Sequence, residues 1–304
     1  MCVSGDHKSR VVEAYLKALK RRRYSVKTIE TYRYPLNLFI SFLAARSVVR
    51  LQDVGGEDLA AWRLALVKRG FADATLEVFL RAVRNLFNWM EGEGMLFDNP
   101  ADSLKTPRYQ RRLLPVLSEE QINHLLARPN VTRPVGIRDR AIMETGYCCG
   151  LRREELARLA LRDPDFLQKS LRVLGKGRRE RVLPLGDQAC GWLRRYVEKA
   201  RPVLLGRGDS AAVDDLWIAV NGRALGAQAI SVMLRKYGQE AKLSGGVTPH
   251  SLRRASATHM LKKGAHPVQI QMFLGHSTMR HLAQYLRLSV ADIKKMHSES
   301  RLGQ

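Results

Sequence analysis

Residues 98–117, DNPADSLKTPRYQRRLLPVL, hold three prolines and four basic side chains and show no helical period. Proline fixes its own φ, donates no backbone hydrogen bond and biases the preceding residue away from helix. No regular helix or central strand can therefore run through the stretch, which is predicted to be an extended, positively charged linker. It cuts the chain into a first domain over residues 1–98, a linker over 99–117 and a second domain over 118–304. With 304 residues in all, each part is long enough to bury a core.

The first part reads as four helices between residues 8 and 97. In VVEAYLKALKRRRYS, Val12, Tyr15, Leu16 and Leu19 fall on one stripe. SVKTIETYRYPLNLFISFLAARS follows, with Ser25 as cap and Pro35 as an expected kink or boundary. GGEDLAAWRLALVKRG and ADATLEVFLRAVRNLFNWMEGEGM supply the other two. The basic residues among them (Lys20 to Arg23, Lys27, Arg33, Arg81, Arg84) fit either a solvated face or a phosphate-binding one.

The second part opens with a capping box, Ser118-x-x-Gln121. GIRDRAIMETGYCCGLRREELARLAL is a long helical stretch interrupted at Gly150, and SLRVLGKGRRERVLPL alternates around a Gly-Lys-Gly turn, a β-hairpin pattern. The remainder reads as helical apart from short loops. The expected fold class is thus mainly α with a small β-hairpin or sheet in the second domain.

Charge narrows the function. Lys and Arg total 52 against 29 acidic residues, a net of +23, and both sides of residue 117 are basic: 20 against 12 before it, 32 against 17 after it. A chain basic in both halves suits a protein that encloses a polyanion from two sides, although a ribosome-associated or merely soluble basic protein has the same balance. Apolar residues make up 45%, which excludes a disordered chain, and no apolar run reaches membrane-spanning length. The N-terminus MCVSGDHKSR lacks a signal-peptide core, and the cysteines (Cys2, the adjacent Cys148 and Cys149, and Cys190) form neither a disulfide framework nor a zinc pattern. A cytoplasmic, nucleoid-associated protein with no membrane partner is expected.

Four elements could carry chemistry. In TPHSLR, Thr248 is a good N-cap and Pro249 stands at the first helical position. His250 and Arg253, three apart, then share a face at a helix start that favours an anion. GLRREEL sets Arg152 at a chain bend with Glu155 three residues on, able to hold its guanidinium or a nearby histidine. Lys176 lies between two glycines at the hairpin tip. LGHSTMRHLAQYLR carries His276 and Tyr285 nine residues apart, which on one unbroken helix is about 900° and opposite faces. The two face one site only if the chain turns at Gly275-His276-Ser277. Taken singly, each element also fits an ordinary surface pair, a solvated turn lysine or a core tyrosine.

In the order Arg152/Glu155, Lys176, His250-x-x-Arg253, His276, Tyr285, the set resembles the tyrosine recombinase (phage-integrase) family and, within it, the compact Xer-like members. GLRREEL looks like the first arginine box, GKGRRERVLPL like the hairpin lysine box, HSLRRASATHML like the H-x-L-R box, and LGHS with Tyr285 like the nucleophile box. Two positions depart from the pattern: His281-Leu282, preceded by Arg280, stand where the family often has Thr-Thr, and Arg254 where it often has His.

The resemblance implies a two-domain, C-shaped clamp around duplex DNA, with Arg152 and Arg253 gripping the scissile phosphate. Tyr285 would attack it, with His250 as base, Glu155 as orienter, Lys176 as acid to the leaving 5′ oxygen and His276 as hydrogen-bond donor. The 3′-phosphotyrosine formed conserves bond energy, so neither cofactor nor metal is expected. No H-E-x-x-H motif or metal-ligand histidine spacing is present. Partners implied are a double-stranded core site and a homo-oligomer, tetrameric in the synapse, or a paralogous recombinase. Residues 288–304 are expected to dock on a neighbour, since Val290, Ile293 and Met296 recur at helical spacing. A bundle starting so near Met1 leaves no room for a separate arm-binding domain, and the departures near Tyr285 tilt the role toward a mobile element. Rival readings are a type IB topoisomerase-like enzyme and a non-catalytic DNA-binding regulator.

Overall fold

The chain divides into two units, Met1–Arg111 and Arg112–Gln304, each built on its own apolar cluster. The structure is a computed structural model and describes residues 4–104, 115–175, 180–208 and 214–275. Lys176, His276, Tyr285 and the segment 288–304 lie outside the described residues.

In the first unit, α1 (Ser4–Arg21), α2 (Val26–Ala45), α3 (Gly56–Lys68) and α4 (Asp73–Gly92) match the four helices read from periodicity. The stripe of Val12, Tyr15, Leu16 and Leu19 is buried against Leu36, Phe39 and Leu43 of α2, Trp62 and Leu66 of α3, and Leu80, Val83, Leu86 and Phe87 of α4. Ser25 caps α2 by accepting the Thr28 N–H at 3.1 Å. Pro35 does not end the helix: α2 runs through it, with Pro35 buried. An interior proline costs ~3 kcal/mol. Burying Leu36, Phe39 and Leu43 on the same helix contributes roughly 1.5–3 kcal/mol each, enough to outweigh that cost.

The extended reading of residues 99–117 needs correction at its start. Pro100–Ser103 form a 3₁₀ turn, opened by Asn99, whose Oδ1 accepts the Ala101 N–H at 3.0 Å. Ala101 and Leu104 are buried in the first core, so an Asn cap followed by proline begins a turn here.

The second unit starts at α5 (Glu119–Leu126), where the Ser118/Gln121 capping box forms as read. Next come α6 (Pro134–Cys148) and the short α7 (Arg153–Ala157). Gly150 lies between them at φ 54°, in the left-handed region, and a Cβ there would meet Leu274 Cδ2 at 2.9 Å. Only glycine fits this bend.

The sheet is antiparallel in the order β1 (Pro164–Asp165), β2 (Ser170–Leu174) and β3 (Glu180–Pro184). β2 and β3 are the expected hairpin, with Leu171 opposite Leu183 and Leu174 opposite Glu180. The two-residue β1 is too short to leave a period in the sequence. α8 (Asp187–Arg195) continues through a π-helical turn into α9 (Arg201–Leu205), and α10 (Ala227–Glu240), α11 (Pro249–Lys262) and α12 (Pro267–Leu274) follow. Residues 214–226 are not helical as expected but hold two isolated bridges, Ala160 to Asp215 and Ile218 to Ala224.

That non-helical segment braces the core. The buried Trp217 indole N–H donates to Leu156 O at 2.8 Å, which pins α7, and Tyr196 Oη donates to Leu216 O and accepts the Ile218 N–H, each at 2.9 Å. Cys148, Cys149 and Cys190 are free thiols. Among the described residues, no helix is long and apolar enough to cross a membrane.

Candidate active site

Glu155 is the centre of the site. It stands at the third position of α7, in a bend where Arg152 is the N-cap, and its carboxylate accepts the Arg152 backbone N–H at 2.9 Å. Its side chain is 5% exposed and faces three guanidiniums. Arg152 Nη1 donates to Oε1 at 2.7 Å. Arg181, from β3, grips both oxygens, Nη1 to Oε1 at 3.1 Å and Nη2 to Oε2 at 2.9 Å. Arg253 Nη1 lies 3.8 Å from Oε2. Burial pushes the Glu155 carboxyl up, but the hydrogen bonds from Arg181 and the Arg152 backbone, with the nearby cations, hold it at about 2. It is therefore ionised throughout the neutral range.

The same three arginines meet the end of α12. Arg181 Nε donates to Phe273 O at 3.1 Å, Arg253 Nη2 to Leu274 O at 2.7 Å and Arg152 Nη2 to Gly275 O at 3.0 Å. A helix C-terminus leaves its last carbonyls without intrahelical donors and carries a partial negative charge, so cations belong there. Gly275 closes α12 in the left-handed conformation at φ 62°, and a Cβ on it would meet the Arg181 guanidinium at 3.1 Å. The chain leaves this point directly into His276.

Arg253 is 2% exposed and also donates from Nη1 to Gly150 O at 2.6 Å, so the bend before Arg152 and the end of α12 are joined through α11. At the start of α11, Thr248 Oγ1 accepts the Ser251 N–H at 3.2 Å with Pro249 at the first helical position, as the sequence indicated. His250 stands exposed in this first turn. Partial burial of its ring, with the Arg254 and Arg253 cations, holds it below the usual imidazole value. A neutral His250 can accept a proton at neutral pH.

Glu155, Arg152 and Arg253 are thus brought together, with His250 three residues from Arg253 on the same helix. One expectation changes. Glu155 orients arginines, not His250: its partners are Arg152, Arg181 and Arg253, because its two oxygens are filled by the guanidiniums packed around them. Arg181 was not singled out from sequence. Its one local signal is a basic residue at an inward-facing position of the hairpin, and its partners lie 26 and 92 residues away. Three guanidiniums around one carboxylate leave net positive charge, which suits a phosphodiester.

Comparison with known proteins agrees. Residues 115–291 match the Phage integrase family, and residues 12–94 match the Phage integrase, N-terminal SAM-like domain. Tyrosine recombinase XerD of Pseudomonas aeruginosa is 34% identical over 95% of this chain and 96% of its own length. Tyrosine recombinase XerC of Roseiflexus sp. is 33% identical over 95% and 93%. Among solved structures, XerH site-specific recombinase bound to palindromic difH substrate, a post-cleavage complex, matches with a TM-score of 0.73 at 18% identity over 96% of this chain and 84% of that one. A lambda integrase dimer bound to a COC' core site also gives 0.73, at 18% identity over 91% and 76%. Matched by two family models and by full-length relatives above 30% identity, the chain belongs to the phage integrase family and is a tyrosine recombinase of the Xer type.

Proposed function

We propose that this protein is a site-specific DNA recombinase that cuts and rejoins strands through a 3′-phosphotyrosine on Tyr285 and a Holliday-junction intermediate. The observation that carries the reading is the gathering of Arg152, Glu155 and Arg253 at the carbonyl end of α12, immediately before His276. The solved relatives with this fold are described as bound to core sites, as dimers or tetramers, and on a Holliday junction. A double-stranded core site and a homo-oligomer, tetrameric when two sites pair, follow as this chain's partners, with a paralogous recombinase as the alternative second subunit. The domain division fits the same reading, with residues 1–98 as a core-binding domain and 118–304 as the catalytic one. The segment 288–304 is assigned to docking on a neighbour.

Phosphodiesters resist attack because their oxygens are negative and the alkoxide leaves badly. Arg152 and Arg253 bind the non-bridging oxygens and stabilise charge that grows in the pentavalent transition state. The Tyr285 hydroxyl, with a free pKa of ~10, gives its proton to His250 as the oxygen attacks phosphorus. Lys176 protonates the departing 5′ oxygen, and His276 donates a hydrogen bond to the phosphate. The new phosphotyrosine ester replaces the broken phosphodiester, so a 5′ hydroxyl can reverse the step without added energy.

A supercoiled plasmid carrying two direct copies of the DNA flanking the gene tests this. Two resolved circles should form in EDTA and without ATP. Relaxed but unresolved plasmid would instead identify a topoisomerase-like enzyme, and unaltered plasmid with no covalent adduct on nicked duplexes of the same DNA a binding protein.

A further inference from the structure

Arg181 joins three of the four motif-bearing segments. It stands on β3, the strand that follows Lys176 by four residues in the sequence. From there it makes a two-pronged contact with Glu155 on α7 and donates to Phe273 O at the end of α12. Its side chain is 15% exposed, whereas that of Arg152, the other guanidinium bonded to Glu155, is 38% exposed. Arg152 is thus the more open to solvent, whereas Arg181 has all three of its nitrogens bonded to Glu155 and Phe273 O.

This difference matters because Glu155 is a hazard as well as a support. A buried carboxylate beside Arg152 and Arg253 competes with the substrate phosphate for the same N–H donors. If those two arginines were its sole counter-ions, each phosphate contact would be made at the cost of stranding a buried charge. We propose that Arg181 is a positioning residue for strand cleavage: it stays on Glu155 throughout, so that Arg152 and Arg253 are aimed by the carboxylate yet free to transfer donors to the phosphate. The role rests on the recombinase reading given above.

Two consequences distinguish it from simple bracing. Removing Arg181 removes the foremost of the interactions that hold the Glu155 carboxyl low, so Glu155 takes up a proton at higher pH. Among the described residues, its remaining charged neighbours would then be Arg152 on its own helix and Arg253 on α11, with the α12 carbonyls beyond them. Cleavage should therefore acquire an acid limb in addition to the one that protonation of His250 gives the wild type. The effect also passes through Glu155, so it should shrink once Glu155 carries no charge.

The experiment uses the full chain and nicked suicide duplexes tiled from the DNA flanking the gene, on which cleavage is trapped as a covalent adduct. Arg181→Met should slow adduct formation roughly 10- to 100-fold while gel-shift affinity for the same duplex changes less than about threefold. The rate should fall further between pH 7 and pH 5. Arg181→Lys, which keeps the cation without the fork, should recover part of the rate. In a Glu155→Gln background, Arg181→Met should cost less than about threefold more. Multiplicative losses in the double variant, or a rate loss matched by lost binding and melting temperature with an unchanged pH profile in both single variants, would overturn the role. A wild type that forms no adduct on any duplex would overturn the recombinase reading itself, and the role with it.

Discussion

At the scale of single residues, the site depends on how one carboxylate is shared. Glu155 holds two guanidiniums by hydrogen bonds and a third by proximity, and burial alone would have made its charge costly. Because its folded pKa, about 2, lies below the ordinary carboxylate value, the pairing stabilises the fold above pH ~4.5 and is lost as pH falls toward 2. Glu155→Gln should therefore destabilise the second unit by about 3 kcal/mol at neutral pH. Urea unfolding at several pH values should show that gap closing below pH 4, and a gap that persists at pH 2 would separate it from charge. Lys176 makes a different kind of claim. Lys176→Ala should slow cleavage of an ordinary strand far more than cleavage of one with a 5′-bridging phosphorothiolate, whose sulfur leaves without a proton. Equal losses would remove it from the acid role.

Single elements were readable wherever the signal was local. Ser25, Ser118 and Thr248 announce their helices because a cap works within three residues, and the α1 stripe follows from the helical period. Of the kink or boundary expected at Pro35, the boundary does not occur, since burial of neighbours outweighed the lost hydrogen bond, and Pro100 was read too simply, because Asn99 starts a turn there. Within the site, Arg152, Glu155 and Arg253 stood out through their place at a bend and a helix start. Spacing offered Glu155 the guanidinium of Arg152, but not those of Arg181 and Arg253, which reach it only through the tertiary fold. The close of α12 shows how tightly that element is set. At Gly275, φ is 62° and Arg181 fills the space a side chain would need. Gly275→Ala should cost ~1–2 kcal/mol from backbone strain alone. It should also displace Arg181, slowing adduct formation more than a loss of stability explains; thermal melts alongside adduct rates would separate the two. An unaltered rate would show that the α12 end does not set the site.

For the whole molecule, the separate cores of the two units and the excess of basic residues in both bear on how DNA is held. A fragment of residues 1–111 keeps the entire first core and should bind duplex weakly, losing affinity steeply as salt rises, since phosphate contacts release counterions. A folded fragment with no binding at low salt would remove the first unit from DNA binding. The two-unit division was legible because prolines and lost periodicity coincide at residues 98–117. The proposed catalytic cycle comes down to Tyr285, the one tyrosine after Arg253 in the sequence. The most direct measurement is to compare the wild type with Tyr285→Phe on nicked suicide duplexes from the gene's flanking DNA, followed by denaturing electrophoresis and peptide mapping. The wild type should yield a 3′-linked complex resistant to denaturant, with the DNA on the Tyr285 peptide, while the Phe variant binds and pairs sites equally well and yields none. An adduct that persists in the Phe variant, or one that maps to another peptide, would contradict the account.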